Sequence, residues 1–169
     1  DERVKVIRQA SKGACAARNI GWRASSADWI GFLDSDDIWM RTKIESQMAC
    51  CQDDMRIVAC FTGFTEFGNN SDYNFNPVAQ FSNMLNLQKG NGIGPTSICL
   101  VRRTALETVG GWDESLPSCQ DWDLWIKLRK LGQFGIIPAP LVRFEQSGKD
   151  RISRNMDAVV RGHGIVFDR

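Results

Sequence analysis

The chain alternates between two hydrophobic periods, and the switches between them set out its elements. Residues 3–8 (Arg-Val-Lys-Val-Ile-Arg) alternate apolar and polar as a strand does, and Lys12-Gly13 ends the run. Residues 14–24, rich in small side chains, predict a helix able to pack closely on a sheet. Residues 29–33 form a short apolar strand. Ile44, Met48 and Cys51 recur at helical spacing and predict a helix over 41–51. A third strand is expected over 57–64, a polar loop over 68–77 and a helix over 78–87. Three glycines and a proline in 90–95 predict a turn into a strand over 97–101. Thr104 with Glu107, or a cap earlier in the chain, opens a helix that Gly110-Gly111 closes. Leu124, Leu128 and Leu131 share one face of a helix over 120–131. Residues 135–137 and 141–144 read as edge strands divided by Pro138 and Pro140. A basic loop over 147–154 and a helix over 155–167 complete the chain.

Strands alternating with helices predict an α/β fold, a mostly parallel sheet with helices on its faces. At 169 residues, with no repeat and no linker, the chain reads as one domain over 1–169. The net charge of +1 offers no basic field for nucleic acid, and no apolar stretch is long enough to span a bilayer. Six cysteines form no CxxC pair, and a single histidine, His163, completes no zinc site in the usual spacings. Free, mostly buried thiols are the expected state, and His163 is assigned no role.

Candidate chemistry concentrates in Asp34-Ser35-Asp36-Asp37, which follows directly on the strand at 29–33. An open α/β sheet places its ligands beyond the carboxyl ends of its strands. Carboxylates held this close repel one another and call for a cation. Hard oxygen donors suit Mn²⁺ or Mg²⁺.

Several segments, in order, resemble the GT-A glycosyltransferases of family 2. They are Gly13-Ala14-Cys15-Ala16-Ala17-Arg18-Asn19-Ile20-Gly21, Phe32-Leu33-Asp34-Ser35-Asp36-Asp37-Ile38-Trp39, Val101-Arg102-Arg103-Thr104-Ala105-Leu106, Val109-Gly110-Gly111-Trp112-Asp113-Glu114 and Gln120-Asp121-Trp122-Asp123-Leu124-Trp125-Ile126-Lys127-Leu128. The resemblance implies a GT-A-like fold and metal-dependent, inverting transfer of a sugar from a nucleotide-diphosphate sugar to a saccharide or lipid-linked acceptor. It implies that Asp34-Ser35-Asp36 is the family's DxD motif, with Asp36 on the metal and Asp34 on the ribose or the metal's waters. Asp37 either supports them or caps a helix beginning near Trp39. Arg18 lies near the nucleotide or braces the acidic cluster. Asp121 is implied as the catalytic base, with helix capping as its other reading, and the helix N-terminus is expected to keep it ionised. Gln120 stands where many relatives carry Glu.

Trp122 and Trp125 floor an acceptor platform or fill the core, and core is favoured for Trp125. Arg151 is a candidate phosphate contact in an otherwise solvated loop. A glycoside hydrolase using Asp36 and Asp121 is disfavoured by the clustering of the acids. The resemblance further implies that the family's first βαβ unit, roughly 30 residues or more, is missing before residue 3. Nucleotide affinity is then expected to be reduced. A homodimer through the exposed sheet edge is also expected, with a non-catalytic binding or assembly module as the alternative function. The expected location is cytoplasmic, either free or peripheral to the membrane.

Overall fold

The computed structural model describes residues 1–67, 73–75, 84–145 and 155–169. Helix α1 (Ala14–Ala24) leads into strand β1 (Trp29–Gly31), the acidic turn and a two-residue strand β2 (Ile38–Trp39). Helix α2 (Lys43–Cys51) and the long strand β3 (Ile57–Phe67) follow, then β4 (Tyr73–Phe75) and the short helix α3 (Met84–Leu87). A 3₁₀ turn (Thr96–Ile98) opens β5 (Cys99–Arg102), which runs straight into α4 (Arg103–Val109). Helix α5 (Gln120–Leu131), strand β6 (Gln133–Glu145) and helix α6 (Met156–Phe167) complete the order.

The strands form one mixed sheet in the order β1-β5-β3-β6-β2, with β4 also paired to β3. Helices flank it, as the α/β reading expects. Only β3 and β6 run parallel among the described pairs; β1/β5, β3/β5, β3/β4 and β2/β6 are antiparallel. Periodicity reports burial but not strand direction, so it could not separate a mixed from a mostly parallel sheet. Among the described residues β1 pairs with β5 alone, leaving its outer edge without a strand.

Three local expectations are corrected. Residues 3–8 form no strand; Val4 and Val6 are exposed, because no strand among the described residues lies beside them to accept their backbone. Residues 135–144 are not two separate strands but parts of one strand paired to β3; β2 covers its far side at Val142 and Arg143, while 135–137 pairs with β3 alone among the described residues. The prolines are tolerated through irregular register, since Thr62 faces Ile137 while the next residue, Gly63, faces Pro140. No helix begins near Trp39, which sits in β2, so Asp37 caps none. The helix over 103–109 does end at Gly110, whose φ of 79° is the left-handed conformation that favours glycine at a helix end. Most of the expected loop at 68–77, the start of the helix at 78–87 and the basic loop at 147–154 lie outside the described residues.

Aromatic rings link the sheet to the helices. Phe32, just past β1, meets Trp112 edge-on at 5.2 Å; Trp112 meets Trp125 of α5 at 6.0 Å, and Trp125 meets Phe61 of β3 at 4.8 Å. Trp125 is fully buried, as expected of a core residue.

Asn19 ties α1 to the turn after α4. Its side-chain amide donates to the Trp112 carbonyl (2.8 Å) and to Glu114 (2.7 Å), and its carbonyl accepts from the Trp112 amide (2.9 Å) and the Trp22 indole (3.1 Å). Gly111 makes the approach possible: its φ is 79°, and a Cβ there would lie 2.6 Å from Asn19 Oδ1. Asn19→Ala strands several buried groups at once and is expected to lower unfolding free energy by about 3 kcal/mol, read by urea denaturation. A loss below roughly 1 kcal/mol would show that the turn holds without it.

Candidate functional site

The acidic turn is fixed from two sides by Ser97, in the 3₁₀ turn before β5. The Asp34 amide donates to Ser97 Oγ (3.0 Å), and the Trp39 indole donates to the Ser97 carbonyl (2.8 Å). The Asp37 amide closes the turn on the Asp34 carbonyl at 3.1 Å. This leaves Asp34 half-buried and Asp36 exposed, while Asp37 is buried.

Arg18 projects from α1, the helix held by Asn19. Its guanidinium pairs with Asp34 Oδ1 at 2.6 Å and lies over the Trp112 ring, 4.9 Å from its centroid. Of its two readings, the structure displays the brace on the acidic cluster, with the guanidinium also lining the cleft described below. Asp37 Oδ1 accepts the Glu145 amide at 3.1 Å, joining the turn to the end of β6, but Oδ2 is buried without a hydrogen-bond partner. Burial raises the Asp37 pKa, against the opposing pull of Ser97 and the Glu145 amide, and the charges of Asp34 and Asp36 raise it further.

Asp121 is the second residue of α5. The residue before that helix, Cys119, has a φ of 63°, a left-handed conformation uncommon outside glycine and costly where it occurs. Asp121 Oδ1 accepts the Trp122 amide (2.8 Å), and Oδ2 accepts Asn91 Nδ2 (2.9 Å). Burial raises the Asp121 pKa, opposed by the Trp122 amide and by Arg18. Desolvation is the largest influence on this carboxyl and acts against the amide and guanidinium that favour its ionised form.

Asp34, Asp36 and Asp121 line one cleft of about 610 Å³, together with Arg18, Ser35, Glu66, Cys119 and Gln120. A second cavity, of about 470 Å³, runs between α1 and β1 and shares Arg18 and Asp34 with the first. Gln120 directs its amide to the Leu116 carbonyl at 3.1 Å. Trp122 does not floor the cleft: it is 1% exposed, donates its indole N–H to the Leu87 carbonyl (2.6 Å) and packs edge-on against Phe167. Its place is in the core beside α6, and the platform reading is corrected. Arg151 lies outside the described residues.

Asn91 and Ser97 were not singled out by sequence. Asn91 fixes its own loop, its carbonyl accepting the Ile93 (3.2 Å) and Gly94 (3.4 Å) amides, while its amide reaches Asp121. Asn within the glycine-rich stretch at 90–95 is the local signal that could have marked it, since Asn side chains bond the backbone two residues on. His163 touches Cys119 Sγ at 3.2 Å and the Val159 carbonyl at 2.9 Å through Nδ1, and packs beside Trp122.

A family model described as Glycosyl transferase family 2 matches residues 1–110. The chain is 32% identical over 133 residues to the Escherichia coli protein named UDP-Glc:alpha-D-GlcNAc-diphosphoundecaprenol beta-1,3-glucosyltransferase WfgD, covering 77% of this chain and 50% of that protein. It is 29% identical over 136 residues to an uncharacterized glycosyltransferase of Haemophilus influenzae, covering 74% of this chain and 44% of the relative. The chain thus spans half or less of the length of these relatives. Its fold resembles S. aureus TarS in complex with UDP-GlcNAc, with TM-score 0.68 at 14% identity over 88% of this chain and 43% of the other. It also resembles the Pyrobaculum calidifontis mannosyltransferase PcManGT in complex with GDP-Man and Mn²⁺, with TM-score 0.65 at 16% identity over 97% and 46%.

Asn91→Ala removes a donor to the Asp121 carboxylate, so the Asp121 pKa is expected to rise further. Carboxyl-carbon NMR titration reads this directly, and an unchanged or lowered midpoint would remove Asn91 from the site.

Proposed function

This chain belongs to glycosyl transferase family 2, and from that premise we propose that it takes part in metal-dependent, inverting transfer of a sugar from a nucleotide-diphosphate sugar to an acceptor hydroxyl. The reading rests on the cleft that collects Asp34, Asp36 and Asp121 from two distant parts of the chain. A uridine-diphosphate donor and a lipid-linked acceptor are the favoured substrate classes, by analogy with the named activity of the E. coli relative. The non-catalytic alternative is not favoured, since no feature of the cleft requires it.

The acidic turn fits a divalent cation. Asp36 is exposed at the cleft, Asp34 keeps Oδ2 clear of its ion pair with Arg18, and the unpartnered buried Oδ2 of Asp37 lies in the same turn. Asp36, with Asp34, would hold Mn²⁺ or Mg²⁺. Bound there, the cation would act as a Lewis acid that stabilises charge on the leaving diphosphate.

Arg18 holds Asp34 in place and adds positive charge to the cleft wall. Asp121, oriented by Asn91 and the Trp122 amide, takes the acceptor proton as the new bond forms. Its raised pKa makes it a stronger base than an ordinary carboxylate. Only the ionised form accepts a proton, so activity is expected to fall as pH drops through that raised value, above the ordinary 3.8. Arg151 remains the proposed phosphate contact. No helix among the described residues is long and apolar enough to cross a membrane. A homodimer through an exposed sheet edge, a cytoplasmic location and a single domain over 1–169 belong to the same proposal.

Calorimetric titration with UDP-, GDP- and dTDP-sugars, with and without Mn²⁺, tests the reading. Metal-dependent binding that Asp36→Ala abolishes is expected. Asp121→Asn should retain donor binding and lose transfer by about two orders of magnitude or more. Metal-independent binding, or full transfer by Asp121→Asn, would overturn these assignments.

A further inference from the structure

Three cysteines meet on the other side of the sheet's centre, outside the cleft. Cys50 and Cys51 end α2, and Cys60 lies in β3. Their three sulfurs lie within 4.8 Å of one another, and all are free thiols. Cys51 and Cys60 are fully buried, while Cys50 is half-buried and gives the group an opening toward solvent. The neighbouring strand β6 makes room with Gly135: a Cβ there would stand 2.7 Å from Cys50 Sγ and 3.2 Å from Cys60 Sγ.

Three thiolates around one cation, with metal–sulfur bonds of about 2.3 Å, stand about 4 Å apart when arranged as a triangle. The cluster already has that scale. No histidine, aspartate or glutamate joins the group among the described residues, so the protein supplies three soft donors and no fourth. Soft thiolates suit both zinc and Cu(I), but zinc favours four ligands, so a set of three sulfurs fits Cu(I) better. Positive charge lies close enough to offset the thiolates: Arg102 acts on Cys51, and the buried Lys43 acts on Cys60. The hydrogen bond between Cys51 and Cys60 lowers the pKa of the first thiol and raises that of the second, and burial raises that of Cys50, so a bound cation has to displace the protons of Cys50 and Cys60.

We propose that Cys50, Cys51 and Cys60 form a three-sulfur binding site for Cu(I), separate from the sugar-transfer cleft. Binding releases the thiol protons and leaves the oxidation state of the metal unchanged. The site also ties the end of α2 to β3, so metal occupancy stabilises the fold where helix and sheet meet.

Anaerobic titration of the reduced protein with Cu(I), in competition with a bathocuproine chelator, tests the proposal. One Cu(I) per chain is expected, with a thiolate-to-copper charge-transfer band in the ultraviolet. Cys50→Ser, at the half-buried position least able to disturb the core, should lower affinity by about 100-fold or more while leaving the circular dichroism unchanged. Cys15→Ala, on α1 outside the cluster, should bind like the parent. Complete removal of copper from the parent by the chelator, or equal affinity in Cys50→Ser, would overturn the site. So would a disulfide between two of the three that persists under the reducing conditions of the titration.

Discussion

Both halves of the cleft depend on the buried amide of Asn19. Helix α1 carries Arg18, which must meet Asp34, while the turn after α4 leads through Trp112 toward α5 and Asp121. One side chain joins these segments with three hydrogen bonds, and a fourth, from the Trp22 indole, steadies it within α1. At 2% exposure, water cannot replace those bonds when the side chain is lost. Gly111 permits the contact because no other residue combines its left-handed φ with the absence of a Cβ. The glycine pair thus ends α4 and also gives Asn19 its seat.

Above that joint the aromatic rings carry the geometry across the molecule. Phe32 leads into the acidic turn and Trp125 lies one helical turn beyond Asp121, so the Phe32–Trp112–Trp125 contacts couple the two carboxylate-bearing segments through packed rings. The same burial sets the electrostatics. Asp37 and Asp121 are both raised chiefly by desolvation, while Arg18, shared between the acidic turn and the cleft wall, opposes that rise at Asp121. A cation among the acids would add to its effect. The cysteine cluster is arranged on similar terms, with Gly135 providing space and the buried Lys43 and half-buried Arg102 placing positive charge nearby.

Elements whose side chains signal their own environment were legible in the chain. The helix over 120–131 buries Leu124 and Leu128 of its leucine face though not Leu131, Gly110-Gly111 ends α4, and the acidic turn follows a short apolar strand. Elements whose state depends on a neighbour were not. Residues 3–8 alternate like a strand but have no strand among the described residues to pair with. The two proline-divided pieces of β6 look like separate strands, yet a register shift keeps both paired to β3, and β2 covers the second. Trp122 reads equally well as a platform or as core, and α6 covers it. Asn91 and Ser97 are small polar residues whose importance lies wholly in which backbone and carboxylate groups they meet.

The sequence by itself determined the α/β class, the acidic turn, Asp121 at the start of a helix and the family to which these segments belong. Periodicity, turn residues and ordered motifs are local properties, and local sterics and hydrogen bonding express them wherever the chain goes. Only the tertiary structure decided that the sheet is mixed, that Arg18 braces Asp34, that desolvation raises the pKa of Asp121, and that Cys60 comes to face Cys50 and Cys51. Each of these depends on a contact between residues far apart in the chain, or on solvent removed by packing, and neither is written in any single segment.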